Sequence, residues 1–349
     1  DKPKILPRQH SAFKFPQALS FSPHEIPRLR FLFWVRTFCT LEGISLWSVV
    51  GASKKTRMMI MCSSLWSVVG ALKSPTIRAV VFSPAGMLFP YHAQIAYELK
   101  ERRLLTPATR YAGSSAGAIV AAALACDLPQ ARVDDALANL FRSFASGTEL
   151  RFALRDELRA GLPEDAPERA RGRLTVAYAR LWPPWSTSCL VSEWESKEDM
   201  VDTICASCNW PGFFSRWPLV WCRGALALDG YFAVKRERFG CPPVELSAKE
   251  EEGGGGGITL HVVALPGVPT RFEGERDAVL QPRLPTTPGG GEEGLAYALP
   301  YQRSDWFGWA LGRGMDTDVL RAIGDLGSDH AVEWLERNGY SLAEAGAKP

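Results

Sequence analysis

The stretch Arg110–Pro129, RYAGSSAGAIVAAALACDLP, constrains the fold of this chain more than any other. A short apolar segment enters Gly113-Ser114-Ser115-Ala116-Gly117 and leaves as a run of alanine-like residues. Alanine is the strongest helix former, so AGAIVAAALA predicts a helix. TRYAG predicts a short strand, so strand must turn to helix within a few residues. Gly113 and Gly117 permit the cramped backbone such a turn requires. Upstream, Ile77–Phe82 is an apolar strand, followed by a Gly/Pro loop and a helix with Ile95, Ala96 and Leu99 on its buried side. The crossover from Phe82 to Arg110 is long enough to hold that helix. Strand, loop, helix, strand, turn, helix is the opening of an α/β fold, a largely parallel sheet covered by helices in three α/β/α layers.

Further elements extend the pattern. Asp134–Phe144 is amphipathic, GLPEDAPERARG is polar, and RLTVAYARLW predicts a strand. A helix is expected around Met200–Ser207, strands at GALALDG and ITLHVVALPG, and a terminal helix over Asp316–Asn338. Two low-complexity stretches, 249–257 and 286–294, predict flexible solvated inserts. The expected organisation is an N-terminal extension, 1–73, and one α/β domain, 74–340.

The turn also suggests chemistry. G-x-S-x-G between a strand and a helix is the setting of a nucleophile elbow. There Ser115 would project at a helix N-terminus, where free N–H groups and the helix dipole stabilise developing negative charge. On the residues alone, a purely structural glycine turn stays open. A serine nucleophile needs a base. The order Ser…Asp…His admits His261 or His330 as the third member of an α/β-hydrolase triad. Spacing argues against it, because only one helix separates Gly86 from Ser115. Each histidine also has a plain role, His261 inside a strand and His330 in a polar helix start.

The segment FSPAGMLFPYHAQIAYELKERRL…TRYAGSSAGAIVAAALA resembles the patatin-like phospholipases. ASCNWPGFF, Ala206–Phe214, and ALALDGY…PP are similar to later stretches of that family, so the resemblance covers about 77–243 and continues weakly to about 339. It implies a patatin-like lipid acyl hydrolase with a Ser115–Asp229 dyad, no histidine, no metal and no cofactor. Asp229 would take the serine proton, and Gly230 would let the backbone turn beside it. An aspartate is a poor base at its usual pKa of about 4, so the resemblance implies a desolvated site. Oxyanion donors would come from Ala85, Gly86, Met87 and Ala116. Two departures stand out. The loop reads Ser83-Pro84-Ala85-Gly86-Met87 in place of several glycines, and Pro84 has no N–H to give. Tyr231 follows Asp229-Gly230 where a second small residue is usual. A degraded oxyanion loop keeps open a second class of function, a lipid-binding scaffold on an enzyme-like fold.

Composition narrows the partners. The chain is 46% hydrophobic and 22% charged, with a net charge of +2, an ordinary globular balance. Residues 1–73 hold eleven Lys/Arg against three Asp/Glu, interleaved with Phe and Trp. That mixture suits anionic lipid headgroups and equally suits a solvated basic arm. The expectation is a lipid ester substrate at a membrane or droplet surface, an intracellular peripheral location and no nucleic acid. Met58–Leu72 is apolar for fewer than the ~20 residues a crossing helix needs. The chain opens on Asp1, which leaves any targeting peptide open. SLWSVVGA occurs twice, at 45–52 and 64–71, too few copies for a solenoid. The eight cysteines lack zinc spacing, and Cys205-x-x-Cys208 reads as a pair of buried free thiols.

Overall fold

A computed structural model describes residues 76–182, 185–244, 257–272, 277–282 and 303–340. The extension 1–73 lies outside them, as do the expected inserts at 249–257 (Gly257 excepted) and 286–294. Strand β1, Ile77–Phe82, leads through a 3-10 turn at Gly86–Leu88 into helix α1, Phe89–Glu101. Strand β2 follows at Arg110–Ser114, and helix α2 at Ala116–Ala125. These are the elements the opening pattern predicts, in the same order.

Helix α3 spans Gln130–Ala145 and α4 spans Leu150–Gly161. The polar stretch after it is not all loop, since Ala166–Ala170 forms the short helix α5. Helix α4 buries Leu150, Leu154 and Leu158, a four-residue spacing that aligns them on one face. That signal was legible but is diluted by the many charges between the leucines. Strands β3, Leu174–Trp182, and β4, Trp185–Val191, form an antiparallel pair. Helix α6, Lys197–Ser207, begins with a Ser196 side chain that accepts the Asp199 N–H. Strands β5, Val220–Cys222, and β6, Ala225–Leu228, pair antiparallel. Then come β7, Ile258–Val262, β8, Asp277–Leu280, helix α7, Arg303–Ala310, and helix α8, Thr317–Arg337. The ITLHVVALPG strand stops at Val262, earlier than its apolar run suggests. The terminal helix matches expectation, and places His330 well inside it, not at its start.

The eight strands form one sheet along the hydrogen-bonded path β5-β6-β3-β2-β1-β7-β8, with β4 also on β3. β1, β2, β3, β7 and β8 run parallel to their neighbours in this series. Successive side chains of a strand point to opposite faces. Nearly every residue of β1, β2 and β7 is buried, so both faces of the central sheet are covered, as parallel sheets require. The result is a mixed, mostly parallel sheet flanked by helices, a three-layer α/β/α architecture.

Register decides how the site forms. β4 pairs with β3 from Val176 to Trp182 and so occupies one edge of that strand. Ser114 pairs with Ala177, and Leu228 with Ala179, both necessarily along the other edge. β2 and β6 therefore run toward each other along the same edge of β3 and stop end to end. The residues after them, Ser115 and Asp229, meet in the gap.

Helix α8 packs along α1, where Tyr91 Oη lies 3.0 Å from His330 Nδ1. Ile323, on its buried face, is 1% exposed. Ile323→Ala is expected to cost about 2–5 kcal/mol, read as a lowered midpoint in urea unfolding, if this helix belongs to the cooperative core.

Candidate active site

Ser115 is the N-cap of α2 and has φ 55° and ψ −132°, a conformation that non-glycine residues rarely adopt. Strain of this kind persists only where the surroundings over-determine it. Here they do. The Ser115 N–H donates to Ser207 Oγ at 2.8 Å, and Ser207 Oγ donates to the Ala177 carbonyl at 2.6 Å. A Cβ at Gly117 would lie 2.5 Å from the Ser83 carbonyl oxygen, so only glycine lets α2 approach the end of β1. Gly113 is packed as closely, against the Gly117 carbonyl. Both glycines of the turn are fixed by contact.

Asp229 leaves β6 fully buried. Its backbone N–H donates to the Asn209 carbonyl at 3.2 Å, and its Oδ1 accepts the Tyr231 N–H at 2.8 Å. A Cβ at Gly230 would lie 2.3 Å from the Ala177 carbonyl oxygen, which holds the Asp-Gly turn against β3. Burial raises the Asp229 pKa to about 7, against the lowering effect of the Tyr231 N–H and the neighbouring Ser115 hydroxyl. Oδ2 is buried and makes no hydrogen bond of full geometry. The Ser115 hydroxyl is near enough to lower the Asp229 pKa, while Oδ2 stays without a hydrogen-bond partner.

The loop before α1 supplies N–H groups. Gly86 and Ala116 each open a helical turn, and such first residues have no intrahelical acceptor. Gly86 has φ 54°, and a Cβ there would lie 2.1 Å from the Ala310 carbonyl oxygen of α7. One obligatory glycine stands where the related loops carry several. Below the loop, His92 is fully buried and burial lowers its pKa to about 4, partly offset by the Ser83 carbonyl. A carbonyl only accepts, so His92 Nε2 carries the proton and donates to Ser83 O at 2.9 Å. Ser83 Oγ accepts the Ala264 N–H at 3.2 Å. These bonds tie the loop to α1 and to the segment after β7.

Ser115, Ala116, Ala85, Gly86 and Met87 all line one cavity of about 240 Å³. Leu140, Leu150 and Leu154 wall one side, and Trp210, Phe213 and Phe214 another. Phe307, Ala310 and Leu311 close it from α7 and its C-terminal turn. Among the described residues of the wall, polar groups besides the Ser115 hydroxyl come from the side chains of Cys208, Trp210 and Tyr231. Burial, and secondarily the Asp229 charge, pushes the Cys208 thiol well above its usual pKa, so it stays protonated. Cys205 and Cys208 are buried free thiols, as their spacing suggested. Neither His261 nor His330 lines the cavity. His261 stacks on Phe272 at 3.6 Å between ring centres, and His330 meets Tyr91. Among the described residues, no cluster of His, Cys, Asp or Glu has metal-binding geometry.

Sequence reasoning missed Ser207, His92 and the aromatic wall. Ser207 and Trp210–Phe214 lie in or beside ASCNWPGFF, whose apolar end was the available signal. His92 offered none, being a lone histidine in an apolar helix.

A mostly parallel α/β/α sheet with a serine turn opening onto an apolar cavity is the arrangement that the comparisons with known proteins match. Residues 80–236 match the model of the patatin-like phospholipase family. The chain carries a patatin-like phospholipase domain. It is 32% identical to the 1-acylglycerol-3-phosphate O-acyltransferase Pnpla3 of Mus musculus, over 43% of this chain and 38% of that protein. It is 30% identical to the omega-hydroxyceramide transacylases of Mus musculus and Homo sapiens, over 45% of this chain and 27% and 31% of theirs. The chain thus spans less than two fifths of the length of these curated relatives. The crystal structure of VipD from Legionella pneumophila is similar at a TM-score of 0.40 and 12% identity, over 76% of this chain and 67% of that one.

Asp229 also sets a stability signature. Its folded pKa of about 7 exceeds the unfolded value of about 3.9, so the folded state holds an extra proton between them. Stability from this group is full below pH about 4 and is lost as pH rises through about 7. Asp229→Asn, similar in shape but uncharged, is expected to raise the melting temperature more above pH about 8 than near pH about 5. Equal shifts at both would contradict the buried, readily protonated carboxyl.

Proposed function

We propose that this protein is a serine lipid acyl hydrolase that cleaves glycerolipid esters through a Ser115–Asp229 dyad. The observation that carries this reading is the pairing of a strained, cavity-facing serine with a fully buried carboxyl whose pKa of about 7 suits a general base. In the first half-reaction, Ser115 Oγ attacks the ester carbonyl carbon while its proton passes to Asp229 Oδ2. The carbonyl oxygen becomes an oxyanion, which the N–H groups of Gly86 and Ala116, with those of Ala85 and Met87, would receive. The tetrahedral adduct collapses as the C–O bond breaks, and Asp229 returns the proton to the leaving alcohol. Water then attacks the acyl-serine, losing its proton to Asp229; the acyl C–O bond to Ser115 breaks, Asp229 gives that proton to Ser115 Oγ, and the fatty acid is released.

A second reading keeps the same first half and replaces water with a lipid alcohol, giving acyl transfer. It is favoured by the names of the relatives, an acyltransferase and two transacylases, and by the nearly unbroken apolar wall of the cavity. The scaffold reading is set against the retained Gly86, whose N–H remains at the head of the loop. A lipid ester substrate accords with action at a membrane or droplet surface. Among the described residues, no helix is long and apolar enough to cross a membrane.

A fluorophosphonate probe is expected to label Ser115 in the folded protein, and Ser115→Ala to abolish both labelling and ester turnover. Asp229→Asn should lower turnover by at least the ~10²–10⁴ typical of a lost general base, whereas His261→Ala and His330→Ala should leave the chemistry intact. Retained activity in Ser115→Ala, or loss only in the histidine variants, rejects the dyad. Because the deprotonated Asp229 is the reactive form, kcat/KM should rise with pH through about 7 and level off above it. Product analysis with and without an added monoacylglycerol separates hydrolysis from transfer.

A further inference from the structure

We infer that the mouth of the cavity is itself a docking surface for an anionic phospholipid bilayer, independent of the basic extension 1–73. The inference rests on the lipid reading for its purpose but on separate residues for its support. Three segments, 210–217, 231–239 and 304–313, supply eight of the cavity's lining residues, most of its aromatic ones. Each also carries a large aromatic residue turned outward: Trp217 is 68% exposed, Phe232 45% and Phe307 44%. Phe232 stacks on the wall residue Trp210 at 5.2 Å between ring centres. The start of α4 joins this rim. Its Arg151 N–H donates to the Phe214 carbonyl at 3.2 Å, and Arg216 reaches Glu149 at 3.6 Å. Phe152, 51% exposed, stands beside these bonds with the Arg151 guanidinium 4.5 Å from its ring centre. Exposed aromatics on a soluble surface are normal when scattered; here four are tied to the walls of one apolar opening.

Charge selects the partner. The three segments hold five Lys/Arg against two Asp/Glu, whereas the chain after residue 73 holds twenty-nine against thirty-five. Arg216 adjoins Trp217 with its side chain 90% exposed, Arg236 lies four positions beyond Phe232, and Arg313 six beyond Phe307, both exposed. Cations placed beside outward rings suit a bilayer interface, where rings sit at headgroup depth and each Lys/Arg near an anionic surface contributes about 1 kcal/mol. A neutral droplet or an acidic protein would use one half of this pattern and leave the other unexplained. Seated this way, the opening faces the lipid, and an ester-bearing chain reaches Ser115 without crossing water.

The test uses the full chain, with vesicles of phosphatidylcholine alone and of equal parts phosphatidylcholine and phosphatidylserine. The parent is expected to bind the mixed vesicles more tightly, with affinity falling as salt rises. Phe152→Ser with Trp217→Ala should weaken binding on the order of tenfold per ring. Arg216→Gln with Arg236→Gln should remove roughly fivefold per charge from the preference for phosphatidylserine. None of these side chains touches Ser115 or Asp229, so turnover of a soluble short-chain ester should stay at the parental level while turnover of vesicle-borne ester falls. Variants that match the parent in both vesicle affinity and the ratio of vesicle to soluble turnover overturn the inference. So does equal, salt-insensitive binding to both vesicles. Self-association that the same substitutions abolish, without vesicle binding, would assign the rim to a second copy of the chain. If the parent binds mixed vesicles as expected but turns over neither ester, the docking surface stands and the hydrolase reading falls.

Discussion

Everything at this site depends on one carbonyl, that of Ala177, at the point where β2 and β6 meet end to end along β3. Ser207 donates to it at 2.6 Å and, through the same oxygen, holds the Ser115 N–H at 2.8 Å. Gly230 packs against it so closely that no side chain would fit. The gap between two strands that share an edge would leave backbone groups unpaired, a cost a buried sheet does not tolerate. One serine hydroxyl fills the gap, and in doing so it sets the turn that carries the candidate nucleophile. The strained φ of Ser115 and the burial of Asp229 follow from that junction.

The same junction accounts for the electrostatics. Asp229 is held by its backbone bond to Asn209 and by the Tyr231 N–H on Oδ1, with Oδ2 buried and without a hydrogen-bond partner. One strong donor is too few to offset full burial, so the pKa rises to about 7. More donors would stabilise the carboxylate and weaken it as a base; fewer would let it turn away. Around it the thiol of Cys208 remains protonated and the imidazole of His92 neutral, so no further charge competes within the pocket wall. His92 holds the loop through a donated bond that it keeps as long as it stays neutral.

The loop at Ser83–Met87 shows how a site tolerates an altered motif. Pro84 removes a donor, yet Gly86 keeps the positive φ on which the turn depends, and α7 presses its last carbonyl against it. Pro84 itself fits where Gly240 leaves room for its ring. The departures from the related pattern are therefore accommodated by neighbours from far along the chain, which no local reading reveals. Tyr231 is similar. Its backbone serves the aspartate while its ring joins Trp210, Phe232 and Phe239 in an aromatic wall.

By itself the sequence determined the local order: apolar strand, glycine turn, alanine helix, and an Asp-Gly after a later strand. Periodicity and backbone permissiveness are properties of neighbouring residues, so Ile77–Phe82, Gly113–Gly117 and the helix at 317–337 could be read directly. The three-leucine face of α4 was diluted by charge, and β5 and β8 were too short to stand out. Only the tertiary structure decided that Ser115 and Asp229 share one edge of β3, that Ser207 bridges the gap, and that α7 roofs the cavity. Strand register and long-range packing join residues more than ninety positions apart, and no spacing along the chain encodes which edge of a strand two others will share.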